Sequence, residues 1–125
     1  MELAGFKEAV EGILAQNDEF SAGARCFQAV VEVSTASGNE NFVIDRGTVG
    51  GHEAPTEAAR VTMAVTTQGW QLLQDPHAVN ITLNRLFREG HVEFGDDLHE
   101  VMHHWSALFW LTAAMRESLS GVQEV

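Results

Sequence analysis

The chain has 125 residues, enough for one hydrophobic core and too few for two, so a single domain over residues 1–125 is expected. Hydrophobic residues make up 45% and charged ones 20%, which places the sequence with folded globular proteins and away from disordered ones. Eighteen acidic residues against seven basic ones give a formal charge of −11, which repels phosphate backbones and anionic headgroups and speaks against a nucleic-acid partner.

Residues 2–16 carry Leu3, Phe6, Val10, Ile13 and Leu14 between acids and Lys7, the spacing of an amphipathic helix. The same stretch lacks the basic start and apolar run of a secretory signal. NDEFSAGA then breaks the period. From Cys26 the period changes to two: Phe27, Ala29, Val31 and Val33 alternate with Gln28, Val30, Glu32 and Ser34, predicting a strand with one buried face. Cys26 is the only cysteine, so no intrachain disulfide or cysteine-based zinc site is expected, a cytoplasmic setting is the default, and the residue reads as a small buried or edge position rather than a nucleophile.

ASGNEN reads as a turn and FVIDRGTV, residues 42–49, as a second strand. GTVGGHE reads as a loop, without the glycine and lysine spacing of a phosphate cradle. Val61, Met63 and Val65 then alternate with Arg60, Thr62, Ala64 and Thr66 in a third strand, and the short connections predict an antiparallel meander. TQGWQLLQDP predicts a short helix carrying Trp70, Leu72 and Leu73 and ended by Pro76. In AVNITLNRLFREG, VNITL has strand propensity, but Leu83, Leu86 and Phe87 followed by Gly90 favour a helix with a glycine stop. HVEFGD puts Val92 and Phe94 on one face of a short strand, and Asp96 or Asp97 can cap a final long helix to about residue 118. Its apolar stretch WSALFWLTAAM is too short to span a bilayer, so no stable membrane insertion is expected.

The run from Ala59 to Leu98, in which ARVTMAV precedes TQGWQLL, an apolar helix and LFREGHVEFGDDL, resembles the sterol carrier protein two family of lipid-binding domains. The resemblance is carried by Phe87 followed by Gly90, by the alternating Val92 and Phe94, and by Gly95 and Asp96 leading into a helix. The order of elements from residue 1 extends it over nearly the whole chain. It implies an α+β fold: a five-stranded, mostly antiparallel sheet, helices packed on one face, a long C-terminal helix, and an apolar tunnel between the layers for fatty acids, acyl chains or sterol-like lipids. A non-enzymatic binder, in which transfer of the lipid is an option, with no cofactor, is the corresponding expectation. The residues favour the layered architecture independently, because strands and helices here each carry one apolar face.

His99, Glu100 and His103 match the zinc-protease pattern, in which two histidines four apart on a helix share a metal and the glutamate polarises its water. At 100° per residue, however, Leu98, Val101, Met102, Trp105, Leu108, Phe109, Thr112 and Met115 fall in one arc of roughly 140° that must face the interior. His99 and His103 point away from it, with Ser106, Trp110 and Glu117. A third ligand is hard to find: Glu117 lies about 21 Å further along the helix, and His52 and His91 can approach only from another layer or subunit. His99, His103 and His104 are therefore read as solvated or at a subunit contact. An exposed Trp110 beside them predicts a homodimer through the His99/His103/Trp110 face.

The expected ligand site is lined on the strands by Phe27, Val31, Val61, Met63, Val65 and Phe94, and on the helices by Trp70, Phe87, Met102, Trp105 and Phe109. Affinity would come mainly from apolar area removed from water, about 25 cal/mol per Å², so chain-length selectivity should be broad. Two alternatives remain at this point. One is a small enzyme using a histidine, or the zinc set of His99, Glu100 and His103, in the same cavity; the other is an interaction module with a fully packed core.

Overall fold

The computed structural model describes residues 5–50, 58–95 and 98–123. The first helix, α1 (Phe6–Ala15), turns Phe6, Val10 and Leu14 inward, four residues apart along one stripe as predicted. Leu3 lies outside the described residues. NDEFSAGA does more than end α1. The Asn17 side chain accepts the Phe20 amide at 3.0 Å and opens a second helix, α2 (Asp18–Gly23), with Asp18 and Glu19 in the first turn, where free amides favour negative charge. Phe20 is buried by it. Phe20 is the one large apolar residue of α2, so no period registers and only the cap announces this helix.

β1 (Gln28–Thr35) and β2 (Gly38–Asp45) form an antiparallel hairpin with Ala36 and Ser37 at the turn, so β2 begins inside the stretch read as a loop. Arg46 and Gly47 then take positive φ, 51° and 89°, and reverse the chain into β3 (Thr48–Val49), which makes FVIDRGTV parts of two strands rather than one. A Cβ on Gly47 would stand 2.5 Å from the Ser21 carbonyl oxygen, so this turn needs glycine on both counts.

The predicted meander is corrected by β4 (Ala59–Val65). It pairs with β1 in parallel, Val31 opposite Val61 and Val33 opposite Met63, on the side away from β2. β5 (Val92–Phe94) follows antiparallel to β4, giving the order β3-β2-β1-β4-β5. β1 is central by pairing, with β2 on one side and β4 on the other, and its core face of Ala29, Val31 and Val33 is buried throughout.

Between β4 and β5 run α3 (Thr67–Gln74) and α4 (Leu83–Arg88), capped by the hydroxyls of Thr66 on the Gly69 amide (3.0 Å) and Thr82 on the Arg85 amide (3.3 Å). After β5 the expected single helix is divided into α5 (Leu98–His103) and α6 (Trp105–Ser120). Asp96 and Asp97, the expected caps, lie outside the described residues. The division falls at His104, whose amide is shared between the carbonyls of Glu100 (3.3 Å) and Val101 (3.2 Å). α6 closes at Gly121, φ 76°, with its amide on Glu117 oxygen at 2.8 Å.

The helices cover one face of the sheet, burying Val31, Val33, Phe42, Ile44, Val61, Met63 and Val65. Phe6 of α1 stands edge-on between Phe42 (6.3 Å) and Trp70 (5.7 Å), which joins α1, β2 and α3 in one aromatic stack. The other face carries Gln28, Glu32, Ser34, Asn41, Arg60 and Glu93. Among the described residues no helix is long and apolar enough to cross a membrane.

Arg116, unremarked in the sequence, is fully buried on α6. Its Nη1 donates to the carbonyls of Leu72 (2.9 Å), Leu73 (3.0 Å) and Asp75 (2.6 Å), and its Nη2 to Ala78 (2.7 Å). These carbonyls lie at and beyond the end of α3, where the helix dipole is negative; those of Leu72 and Asp75 also accept the amides of Asp75 and Ala78, each at 3.3 Å. Arg116→Leu removes all four of these bonds and should lower stability by about 3–5 kcal/mol in urea unfolding, with Arg116→Lys, which keeps the charge but reaches fewer carbonyls, falling between. Gly69→Ala should cost about 1–3 kcal/mol in the same assay, because its Cβ would stand 2.8 Å from the His91 carbonyl oxygen.

Candidate apolar ligand site

The structure divides the predicted lining residues into separate groups. Val31, Val61, Met63, Val65 and Trp70 are buried members of the central core. Phe109 is half-buried against that core, and so is Phe27, at the entrance to β1.

Phe87 of α4, Phe94 of β5 and Trp105 of α6 come together as a three-ring cluster, with centroids 5.6 Å (Phe87–Phe94), 5.5 Å (Phe87–Trp105) and 6.0 Å (Phe94–Trp105) apart. All three are half-buried, so the cluster keeps an open side. The Trp105 indole N–H donates to Asn84 Oδ1 at 2.8 Å, and α4 thus holds the indole through both ring and nitrogen. Asn84 carried no sequence signal; only the approach of α4 to α6 gives it a partner.

Met102 does not join this group. It is 46% exposed and Leu98, one turn earlier on α5, is 55% exposed, which corrects the expectation that both face inward. The break at His104 is the reason, since it lets α5 take its own orientation. α6, for its part, buries Ala107, Leu111 and Ala114 besides Leu108, Thr112 and Met115, because α1 and α2 cover it from a second side. A Cβ on Gly23 of α2 would meet Ser106 Oγ at 2.7 Å.

His99, Glu100 and His103 are exposed, and among the described residues no three His, Cys, Asp or Glu side chains stand together to hold a metal ion. The ring of His103 lies 5.3 Å from Phe27. His104, grouped with the outward histidines in the sequence, is only 5% exposed, a correction with a visible cause: its ring packs 5.0 Å from Phe27 and its Nδ1–H donates to the Glu100 carbonyl at 2.9 Å. A carbonyl only accepts, so that nitrogen carries the proton. His52 lies outside the described residues. Cys26 is exposed in the turn before β1. Trp110, expected to be exposed beside the histidines, is half-buried, edge-on to Phe109 at 5.3 Å.

A cleft of about 440 Å³ runs beside α4, lined by Asn80, Thr82, Asn84, Arg85, Arg88 and Glu89. Arg85 Nε bonds Glu89 at 2.9 Å and thereby holds that carboxyl below its usual value. The pair's contribution is present above the ordinary carboxylate range and disappears only as pH falls through the lowered value.

No protein-family model matches the sequence, and no curated protein matches it. Solved structures match the fold. A conserved hypothetical protein from Thermus thermophilus, suggested to be a sterol carrier protein, aligns with TM-score 0.63 at 14% identity over 97% of this chain and 91% of that one. A sterol carrier protein 2 aligns with TM-score 0.65 at 14% identity, over 90% and 95%. The ubiquinone synthesis protein UbiJ-SCP2 aligns with TM-score 0.52 at 21% identity, over 87% and 93%. The resemblance expected from Ala59 to Leu98 thus holds at the level of the fold, which is the sterol carrier protein 2-like fold.

Trp105→Phe keeps one aromatic ring but removes the donor to Asn84 and the pyrrole half of the indole, so it should cost about 1–2 kcal/mol by urea unfolding. The double change Leu98→Ser and Met102→Ser, on solvated positions, should stay within about 0.5 kcal/mol of the parent.

Proposed function

We propose that the chain, as a single domain, binds an elongated apolar ligand, a fatty acid, acyl chain or sterol-like lipid, between the inner sheet face and the helices, and acts as a carrier rather than an enzyme. The observation that carries this reading is the half-buried cluster of Phe87, Phe94 and Trp105, in a fold shared with sterol carrier proteins. A core that needed these rings only as filling would close over them; here three aromatic faces meet at the junction of α4, β5 and α6 and remain partly wet.

The cluster is the ligand's entrance. Phe94 stands opposite Met63 on the core face of the sheet, so a chain laid against Phe94 is in line with Met63, Val61 and Val31. Those three are fully covered in the structure, and a ligand must take the place of helix side chains to reach them. Leu98 and Met102 on α5 offer the apolar surface that a shifted α5 would fold over the tail. Phe109 continues the apolar lining one turn along α6 from Trp105, Phe27 adds to it from the start of β1, and a polar headgroup stays at the mouth. Contacts of this kind bring about 25 cal/mol per Å² of buried apolar area and discriminate poorly between chain lengths.

A fluorescent fatty acid titrated into the protein should show saturable binding and be displaced by unlabelled fatty acids of several lengths. Phe94→Ala and Trp105→Ala should each weaken it about tenfold, the loss of one well-placed aromatic contact. A flat titration, with no displacement by any lipid, would sink the carrier reading and leave a packed interaction module in its place.

A further inference from the structure

A second concavity lies on the outer side of the helical layer, between α1, α2 and α6, with a volume of about 690 Å³. Its floor is made of small residues, Ala9 and Gly12 from α1 facing Ala113 and Ala114 from α6. Ile13 and Trp110 supply its apolar walls. Glu8, Asp18, Glu19 and Glu117 stand around its rim, and no Lys, Arg or His is among the described residues that line it. The α1 and α6 contributions each follow one helical stripe over about two turns, roughly 11 Å, so the concavity is a trough between two helices with room for a third lying over them.

Three occupants come into question, and charge separates them. A second copy of the chain would bring the same four carboxylates and another formal charge of −11 to the contact. An anionic lipid surface or nucleic acid meets the same repulsion. A helix with an apolar stripe and basic flanks satisfies both parts of the trough at once: its apolar side chains cover Ile13 and Trp110, and its cations reach the rim. We propose that this groove docks a basic amphipathic helix of a partner protein, with Trp110 as the aromatic anchor. The proposal does not rest on lipid binding: Trp105 and Trp110 point about 140° apart on α6, and the ring contact of Phe109 with Trp110 lies between the two sites.

The probe is a labelled amphipathic peptide of leucine and lysine, followed by fluorescence anisotropy, with a leucine and glutamate peptide as its counterpart. Only the lysine peptide should bind. Glu8→Gln with Glu117→Gln should weaken it about tenfold, whereas Glu32→Gln with Glu93→Gln, the same loss of charge on the bare face of the sheet, should leave it within about twofold. Ala113→Trp, which fills the trough, should abolish binding while circular dichroism and fatty-acid binding stay unchanged. Equal weakening by the two pairs of charge changes would reduce the effect to unspecific attraction and overturn the proposal. So would a dimer of the unmodified chain in analytical ultracentrifugation that Ala113→Trp dissolves, since that would assign the groove to a second copy.

Discussion

Burying a guanidinium costs several kcal/mol unless its donors find acceptors, and at Arg116 they find four carbonyls at the spent end of α3. This arrangement sets the rotation of α6 about its own axis. Trp105 lies eleven residues earlier, which at 100° per residue is about 20° from the same face and three turns away, so an α6 held by Arg116 on α3 necessarily aims Trp105 at the neighbouring α4. Trp110 is about 120° round from Arg116 and is carried to the α1 side. One clamp thus places both aromatic features of the helix, the cluster with Phe87 and Phe94 and the wall of the acidic groove.

The sheet supplies the other half of the site by register. β5 pairs with β4 so that Phe94 lies beside Met63 and Val92 beside Val65, which keeps the core face apolar to its edge and leaves Phe94 where α4 and α6 can reach it. Gly69 allows α3 to approach the His91 carbonyl closely, and His91 oxygen accepts the Thr66 amide at 2.9 Å, so the start of α3 and the entry to β5 are tied together. The aromatic cluster therefore sits where three elements are already constrained.

Net charge and chemistry are distributed unevenly between the two sides of α6. The groove side is walled by α1 and α2 and gathers carboxylates; the side of the aromatic cluster has Arg85 and Arg88 on α4, with Glu89 paired to Arg85. The two proposed activities, apolar ligand binding and docking of a cationic helix, thus draw on different residues.

Local patterning determined a good deal by itself. Periods of 3.6 and 2 in the sequence announce α1, α3, α4, β1, β4 and β5, because an amphipathic element must repeat its apolar residues at its own pitch. The hydrophobic order from Ala59 to Leu98 was enough to suggest the sterol carrier protein 2-like fold. What no local pattern contains is which elements become neighbours. The parallel pairing of β4 with β1 joins residues thirty apart in the chain, Ala29 with Ala59; the ring of His104, at the break between α5 and α6, packs on Phe27 of a distant segment; the burial of Arg116 depends on carbonyls about forty residues away. A helical wheel assumes one straight axis and one covered side, so it turned Met102 inward and His104 outward. Contacts from α1, α2 and α4 on several sides of α6, and a new axis at residue 104, reversed both.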